Sequence, residues 1–595
     1  MTGSTVEVSR TDWARWTAPL LVMLVVAIAY SDSFSGPFIY DDLDAIANDA
    51  QVNPQIQSLF TPPTETTPTT LSGRPVLRFS FALDYAVGGL DVRIYHASNF
   101  AIHLACSLLV YGIIRRILLR PEIWGERFMK SAPWLAAAVA GLWGVHPLNT
   151  QAVTYIVQRA ESLASMFYLL TLYCSVRAAG SEKSVPWWGV GAIASAILGM
   201  GCKEILATVP VVAALFDSIF LAGSWKAAMR KRWGIYAGLL VCWLLLLIQV
   251  KSGSRGSTVS FHEAISAMQY ALTQLGAIAS YLRLMVWPTG LVLDEEGWPI
   301  AHGIDDVGIG GAAVVLLLIT TIFMLWRWPK VGFSGAWFFL LLAPSSSFVP
   351  IVTEVVAEHR MYLPMLGWIA LAVIGGWSLA RKSMPLHFVE TGIYLALLAA
   401  FCTLTIQRNA QYHTAEGIWR DTIAKRPTNP RAHFNLGYSL MHEAHQYPPG
   451  SVPYKKLAAE GMAEYRLCLK YDDHYFPAGV RMADAIAESG DLAGAEAMYD
   501  HLLKVNPKFV GDGNVLRGKI RVERGNFQGA REDFQAATAA LPDDAEAHYL
   551  LGLADEQFKD WSGAAAEFQR AVDLAPQNAD ARLQLLTVKT LMGNS

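Results

Sequence analysis

Long apolar runs fill the chain up to about Cys402, and a different rhythm, small residues and prolines among charged helices, begins after Gln407. A helix needs about 20 predominantly apolar residues to cross a bilayer. Stretches of that kind lie at roughly 13–31, 97–115, 132–148, 160–178, 186–202, 204–222, 233–250, 308–327, 333–350, 364–380 and 388–406. They predict an all-α chain that opens with a polytopic membrane helix bundle of about eleven spans. Residues 268–287 are also apolar but carry Gln269, Thr273, Gln274, Tyr281 and Arg283, and are expected to be re-entrant or interfacial. With that reading, Arg115, Arg116, Arg120, Arg177, Lys183, Lys226, Arg230, Lys231 and Arg232 share one side with Arg327, Lys330, Arg381 and Lys382. By the positive-inside bias that side is cytoplasmic, together with the N-terminus. The run Leu20 to Tyr30, preceded by Trp13 and Trp16, reads as a retained anchor rather than a cleaved signal.

The polar half has an internal period. Pro507, Pro542 and Pro576 are 35 and 34 residues apart, and Ala545, Tyr549, Gly552, Ala565 and Phe568 fall between the last two. Small residues at helix crossings and a proline closing each pair are the tetratricopeptide pattern, which forms an α-solenoid. Asn435-Leu436-Gly437-Tyr438 fits the first helix of the first unit, and Tyr447 to Pro453 reads as an insert. The expected organisation is a membrane domain over 1–406, a linker or first helix over 407–429, and about four repeats over 430–595.

Composition narrows the function. The chain is 53% hydrophobic and 16% charged with a formal net charge of −3, which disfavours a nucleic-acid binder needing a basic face. Its cysteines, Cys106, Cys174, Cys202, Cys242, Cys402 and Cys468, have neither metal-ligand nor disulfide-framework spacing. No P-loop, Gly-x-Ser-x-Gly elbow or His-Glu-x-x-His is present. What stands out is a set of charged residues bordering apolar spans: Asp41, Asp42, Arg74, His146, Arg159, Glu161, Lys203, Glu204, Glu358, His359 and Arg360. Such groups are expensive near hydrocarbon and are functional candidates by default. A carboxylate such as Asp41 can take a proton from an attacking hydroxyl. Lys203, Arg159 and Arg360 can hold a phosphate, Arg by bidentate contacts and Lys as a point charge. A divalent metal at Asp41, Asp42 and Glu204 is a further option. A helix-end cap for His146 and a local ion pair for Lys203 and Glu204 are the competing structural readings.

Phe38-Ile39-Tyr40-Asp41-Asp42, Gly73-Arg74-Pro75-Val76-Leu77, Tyr95-His96-x-x-Asn99, His146-Pro147, Gln158-Arg159-Ala160-Glu161, Lys203-Glu204 and Glu358-His359-Arg360-Met361-Tyr362-Leu363-Pro364 occur in that order. Together with the domain order they resemble the transmembrane and tetratricopeptide-repeat O-mannosyltransferase family, within the C-type glycosyltransferases. The resemblance implies an enzyme that moves a sugar from a polyprenyl-phosphate donor to a hydroxyl, on Ser or Thr of an exported protein brought by the repeats. It also implies Asp41 as general base, with Asp42 second, and a donor phosphate held by Lys203, Arg159, Arg360 and His359. Arg74, His146, Glu161, Glu204 and Glu358 complete the implied site. The repeat array is shorter than in animal members, so their acceptor is not carried over. The absence of any Asn-x-Ser/Thr sequon and the wording of residues 151–159 look like the bacterial branch, which places the protein in a cytoplasmic membrane with its site outside. The alternatives are a non-enzymatic membrane-anchored scaffold and a glycosyltransferase for a lipid or glycan acceptor.

The basic loops generate the first prediction. Reporters fused after Gly36, Glu358 and Gln407 are expected to read extracytoplasmic, and fusions near Arg116, Arg230 and Arg381 cytoplasmic. A cytoplasmic reading after Glu358 would show that residues 268–287 span, and would remove Arg360 from the site.

Overall fold

The computed structural model describes residues 13–47, 70–180, 185–251, 265–351 and 354–593; Lys183 lies outside them. The described residues are helical, with no strand, as the apolar pattern predicts. Two compact units are formed, Met1–Lys425 and Arg426–Ser595.

In the first unit, α1 (Ala14–Ala29) leads to α2 (Pro75–Gly88), which starts on a proline suited to a first helical turn. Asp91 then caps α3 (Val92–Leu118) by accepting from Arg93 N, while Arg115 and Arg116 face the negative end of its dipole. After α4 (Pro121–Trp124), α5 (Ala132–Gly144) and α6 (Thr150–Thr154) comes α7 (Arg159–Ala179). The chain continues through α8 (Val185–Met200), α9 (Val209–Phe220), α10 (Trp225–Leu239) and α11 (Val241–Lys251). Then follow α12 (Ala267–Val286), α13 (Gly308–Arg327), α14 (Pro329–Leu342), α15 (Met365–Ala380), α16 (Met384–Gln411) and α17 (Ala415–Lys425). Among the described residues, five helices are long and apolar enough to cross a membrane: Val92–Leu118, Ile156–Ala179, Trp225–Ile248, Ile304–Arg327 and Met384–Gln411. Shorter apolar helices pack among them; a Cβ on Gly144 of α5 would lie 2.7 Å from Val26 of α1, so only glycine permits that crossing.

The helices run between two ends of the unit. At one end Arg120 reaches Leu221 O (3.4 Å) and Lys330 reaches Ile123 O. At the other, Asn409 donates to Ala29 O (3.1 Å) and accepts from Thr154 (2.8 Å). Helix α12 lies across this second end. Its Tyr270 donates to Ser345 O (2.8 Å), Gln274 to Val355 O (2.9 Å), and Tyr281 accepts from Ala357 N (2.8 Å). Met285 O, near its last turn, meets His146 (2.9 Å). These contacts run along the length of α12 at one end of the bundle, and the helix also packs on the start of α13, where a Cβ on Gly310 would lie 3.1 Å from Ala279.

The second unit is a stack of helix pairs: Pro430–Ala444 with Val452–Tyr471, Phe476–Glu488 with Leu492–Val505, Val510–Glu523 with Phe527–Ala540, and Ala545–Gln557 with Trp561–Leu574, closed by Ala579–Gly593. Equivalent glycines mark the crossings, since a Cβ on Gly437 or Gly552 would sit 2.7 Å from Tyr465 or Phe568. One bracket recurs that sequence spacing did not reveal. His433 joins Glu464 (2.6 Å) and Pro427 O (3.0 Å), and His548 joins Glu567 (2.6 Å) and Pro542 O (3.1 Å). Both tie the start of a pair to its second helix.

Candidate functional site

The site is organised by one short turn, Tyr155 to Glu161, where the chain passes from α6 through a single 3₁₀ turn (Ile156–Gln158) into α7. Alternate residues of this turn hold separate parts of the protein. Tyr155 Oη accepts from Asp41 N (3.1 Å), and Val157 N donates to Asp42 Oδ1 (2.7 Å). Arg159 pairs with Asp84 (2.5 Å), and Glu161 pairs with Lys203 (2.7 Å). An extended Tyr155 followed by a tight turn makes this alternation possible.

Asp41 and Asp42 differ in environment. Tyr40, at φ 49°, bends the chain through the left-handed region, and its ring packs edge-on against Trp419 at 5.7 Å. A non-glycine residue there is strained, and the surrounding contacts keep it in place. Asp42 is 0% exposed, its second oxygen accepting from Ile39 N (3.1 Å). Burial pushes its carboxyl up, against the pull of the Ile39 and Val157 N–H groups. With both oxygens bound to backbone, Asp42 fixes the loop and is not placed to act as the second base expected from sequence. Asp41 is half-buried at the same bend.

Several expected phosphate ligands are committed elsewhere. Arg159 donates to Asn99 Oδ1 (2.5 Å), Tyr95 O (3.0 Å) and Ser80 O (3.2 Å) besides Asp84, and its guanidinium lies over Phe81 at 4.2 Å. Its donors are engaged, so it positions α2, α3 and α7 rather than offering a fork to a ligand. Arg360 is caged by the carbonyls of Ser345 (3.2 Å), Val355 (3.0 Å) and Glu354. His146 uses both ring nitrogens, accepting from Leu148 N (3.2 Å) and donating to Met285 O (2.9 Å). It is the helix-end cap. Glu358 accepts from Val292 N (2.7 Å) and faces Arg408 and Lys425, away from the phosphate candidates.

Lys203, His359 and Arg74 form the remaining cluster. Lys203 is extended between α8 and the 3₁₀ turn Glu204–Thr208, and the start of α2 docks there through Val76 N to Gly201 O (3.1 Å). That contact brings in Arg74, which also donates to Thr70 O (2.9 Å). His359 is 1% exposed, and its N–H donates to Gln151 Oε1 (2.8 Å). Burial first, then the positive charges of Lys203, Arg360 and Arg74, hold its imidazole well below the usual histidine range. Its Nδ1 is buried with no hydrogen-bond partner among the described residues. Glu354 stands 3.7 Å from its Nε2, which leaves Nδ1 as the ring nitrogen that can meet a ligand. Glu204, next in sequence, is half-buried and has bonded contacts of its own. Asp41, Asp42 and Glu204 do not gather as a three-ligand set; among the described residues that geometry occurs at Asp472, Asp473 and His474 in the second unit.

Sequence reasoning passed over Asp84 and Gln151. Asp84 was open to detection, being a carboxylate inside the otherwise apolar Phe81–Val87 stretch of α2. Gln151 carries no such signal, because its role depends on His359 and Leu293 O (2.7 Å), distant in sequence.

Glu358 generates a pH prediction. Burial raises its carboxyl from the ordinary 4.5 to about 8, the Arg408 charge opposing. Between those values the unfolded chain has released the proton while the folded one holds it, so stability falls as pH rises through that window. Glu358→Gln keeps an acceptor for Val292 N and removes the titration. Its melting temperature is expected to match the wild type near pH 4.5 and to exceed it by pH 9, as read by thermal unfolding in detergent. A variant less stable than wild type at pH 9 would show that Arg408 wins.

A tetratricopeptide repeat profile matches residues 515–579. The mouse protein O-mannosyl-transferase TMTC4 is 25% identical over 72% of this chain and 64% of its own length. Human protein O-mannosyl-transferase TMTC3 is 22% identical over 94% of this chain and 68% of its own, and Drosophila melanogaster Tmtc2 is 30% identical over 47% and 29%. The chain spans about 64% of the length of the TMTC4 proteins it matches. Among solved structures, MamA from Desulfovibrio magneticus RS-1 is 21% identical over 27% of this chain and 86% of its own, with a TM-score of 0.23. These relatives are named protein O-mannosyl-transferases of the TMTC family, and this chain has apolar helices and a tetratricopeptide repeat.

Proposed function

We propose that the first unit is a membrane glycosyltransferase that moves one sugar from a polyprenyl-phosphate carrier to a hydroxyl of an exported protein, with inversion. The observation that carries this reading is the cluster of half-buried Lys203 and Arg74 with buried, neutral His359, whose Nδ1 is open, at the end of the bundle that also holds Asp41. In the reaction the acceptor oxygen bonds to the anomeric carbon as its proton passes to the Asp41 carboxylate. The bond from that carbon to the phosphate oxygen breaks, and the lipid phosphate leaves as an anion toward Lys203 and Arg74. The relatives' names make mannose the first sugar to try. The repeat unit is proposed to supply the acceptor-binding surface. The basic loops support a cytoplasmic membrane with this site on the outer side, and the bacterial branch is kept as part of the reading.

Asp41→Asn keeps size and polarity and is expected to lower turnover by about 10²–10⁴-fold with folding intact. Lys203→Ala alone would strand the 2%-exposed Glu161, so phosphate contact is tested by Lys203→Gln with Glu161→Gln. The pair is expected to raise the donor KM and lower kcat together. Transfer rates with saturating polyprenyl-phosphate mannose, beside melting curves, supply both readouts. Full activity in Asp41→Asn would remove Asp41 as the base, and no transfer by the wild type would favour a scaffold.

A further inference from the structure

A second, unrelated feature lies toward the opposite, basic end of the first unit. A half-open slot of about 310 Å³ runs between α3, α7, α9, α14 and α15, and its walls are almost wholly apolar. Along α15 it is bordered by Gly367, Ala370, Gly375 and Ser378. At 1.5 Å per residue that face is about 16 Å long, close to half of a roughly 30 Å hydrocarbon core. The slot is therefore narrow, elongated and one leaflet deep. Cavities lined by apolar side chains stay dry and take apolar ligands.

At the basic end the slot is bordered by Lys330, in the first turn of α14. Lys330 is exposed, lies over the Trp124 ring at 4.8 Å and donates to Ile123 O. No carboxylate pairs with it among the described residues. We infer that this slot holds one acyl chain of an anionic phospholipid, with its phosphate against Lys330. The length of the slot sets the chain, and the ammonium without a carboxylate selects the headgroup, as basic pockets between membrane helices do. The site is separate from Lys203 and His359, so it does not depend on the proposed reaction.

Gly375 allows a clean test, because a Cβ built there meets nothing within 4 Å. Full-length protein is released from nanodiscs of equal phosphatidylglycerol and phosphatidylcholine and weighed by native mass spectrometry. Wild type is expected to keep one phosphatidylglycerol per chain, Gly375→Phe to lose it, and Lys330→Gln to keep a lipid without headgroup preference. Ala370→Leu fills the same space and replaces Gly375→Phe if the latter does not fold. Wild type without a retained lipid, equal retention in the filled variant, or equal retention of the two headgroups in wild type would overturn the assignment. So would an adduct with the mass of an isoprenoid phosphate.

Discussion

Asp42 is a carboxyl group taken entirely out of water, a transfer that costs free energy unless hydrogen bonds replace the lost hydration. Two backbone N–H groups, from Ile39 and Val157, do so. Because Val157 belongs to the turn that also presents Tyr155, Arg159 and Glu161, this one requirement couples the loop of Asp41 to the entry of α7. The same turn clamps α2 and α3 through Arg159 with Asp84 and Asn99, and the Lys203 segment through Glu161. Breaking a buried ion pair on one side costs about 3–5 kcal/mol. The turn is therefore expensive to distort, which is what a site that must hold a base and a phosphate cluster in fixed relation requires.

The two ends of the membrane unit divide the work. Arginines and lysines at one end satisfy carbonyls and face aromatic rings, as Lys330 does with Ile123 O and Trp124. At the other end the charged groups are buried or half-buried and held either by ion pairs, as Arg159 is by Asp84, or by backbone groups, as Arg360 and Asp42 are. Burial removes competing water, so the field of Lys203, Arg360 and Arg74 acts on His359 at short range and low dielectric.

Much of this was legible in the sequence. The helical class followed from the apolar runs, and the repeats from prolines at 507, 542 and 576. The charged border residues were found as a set, but their division into ligands and struts was not. Arg159 and Lys203 present the same kind of charge to a sequence reading. One is saturated by Asp84, Asn99 and Tyr95 O, the other has a single carboxylate partner. His146 and Glu358 likewise became struts because their partners Met285 and Val292 lie far off in the chain, and Arg360 because the loop before it folds back its carbonyls at Ser345 and Val355.

The most direct test of this coupling is the transfer kinetics of Tyr155→Phe. The substitution removes only the hydroxyl that accepts Asp41 N–H and leaves Val157, Arg159 and Glu161 in place. If the turn positions the base, kcat should fall by about 10²-fold, the scale of a 1 Å misplacement, while the donor KM stays at the wild-type value. An unchanged kcat, or a donor KM rising in step with the loss, would contradict it.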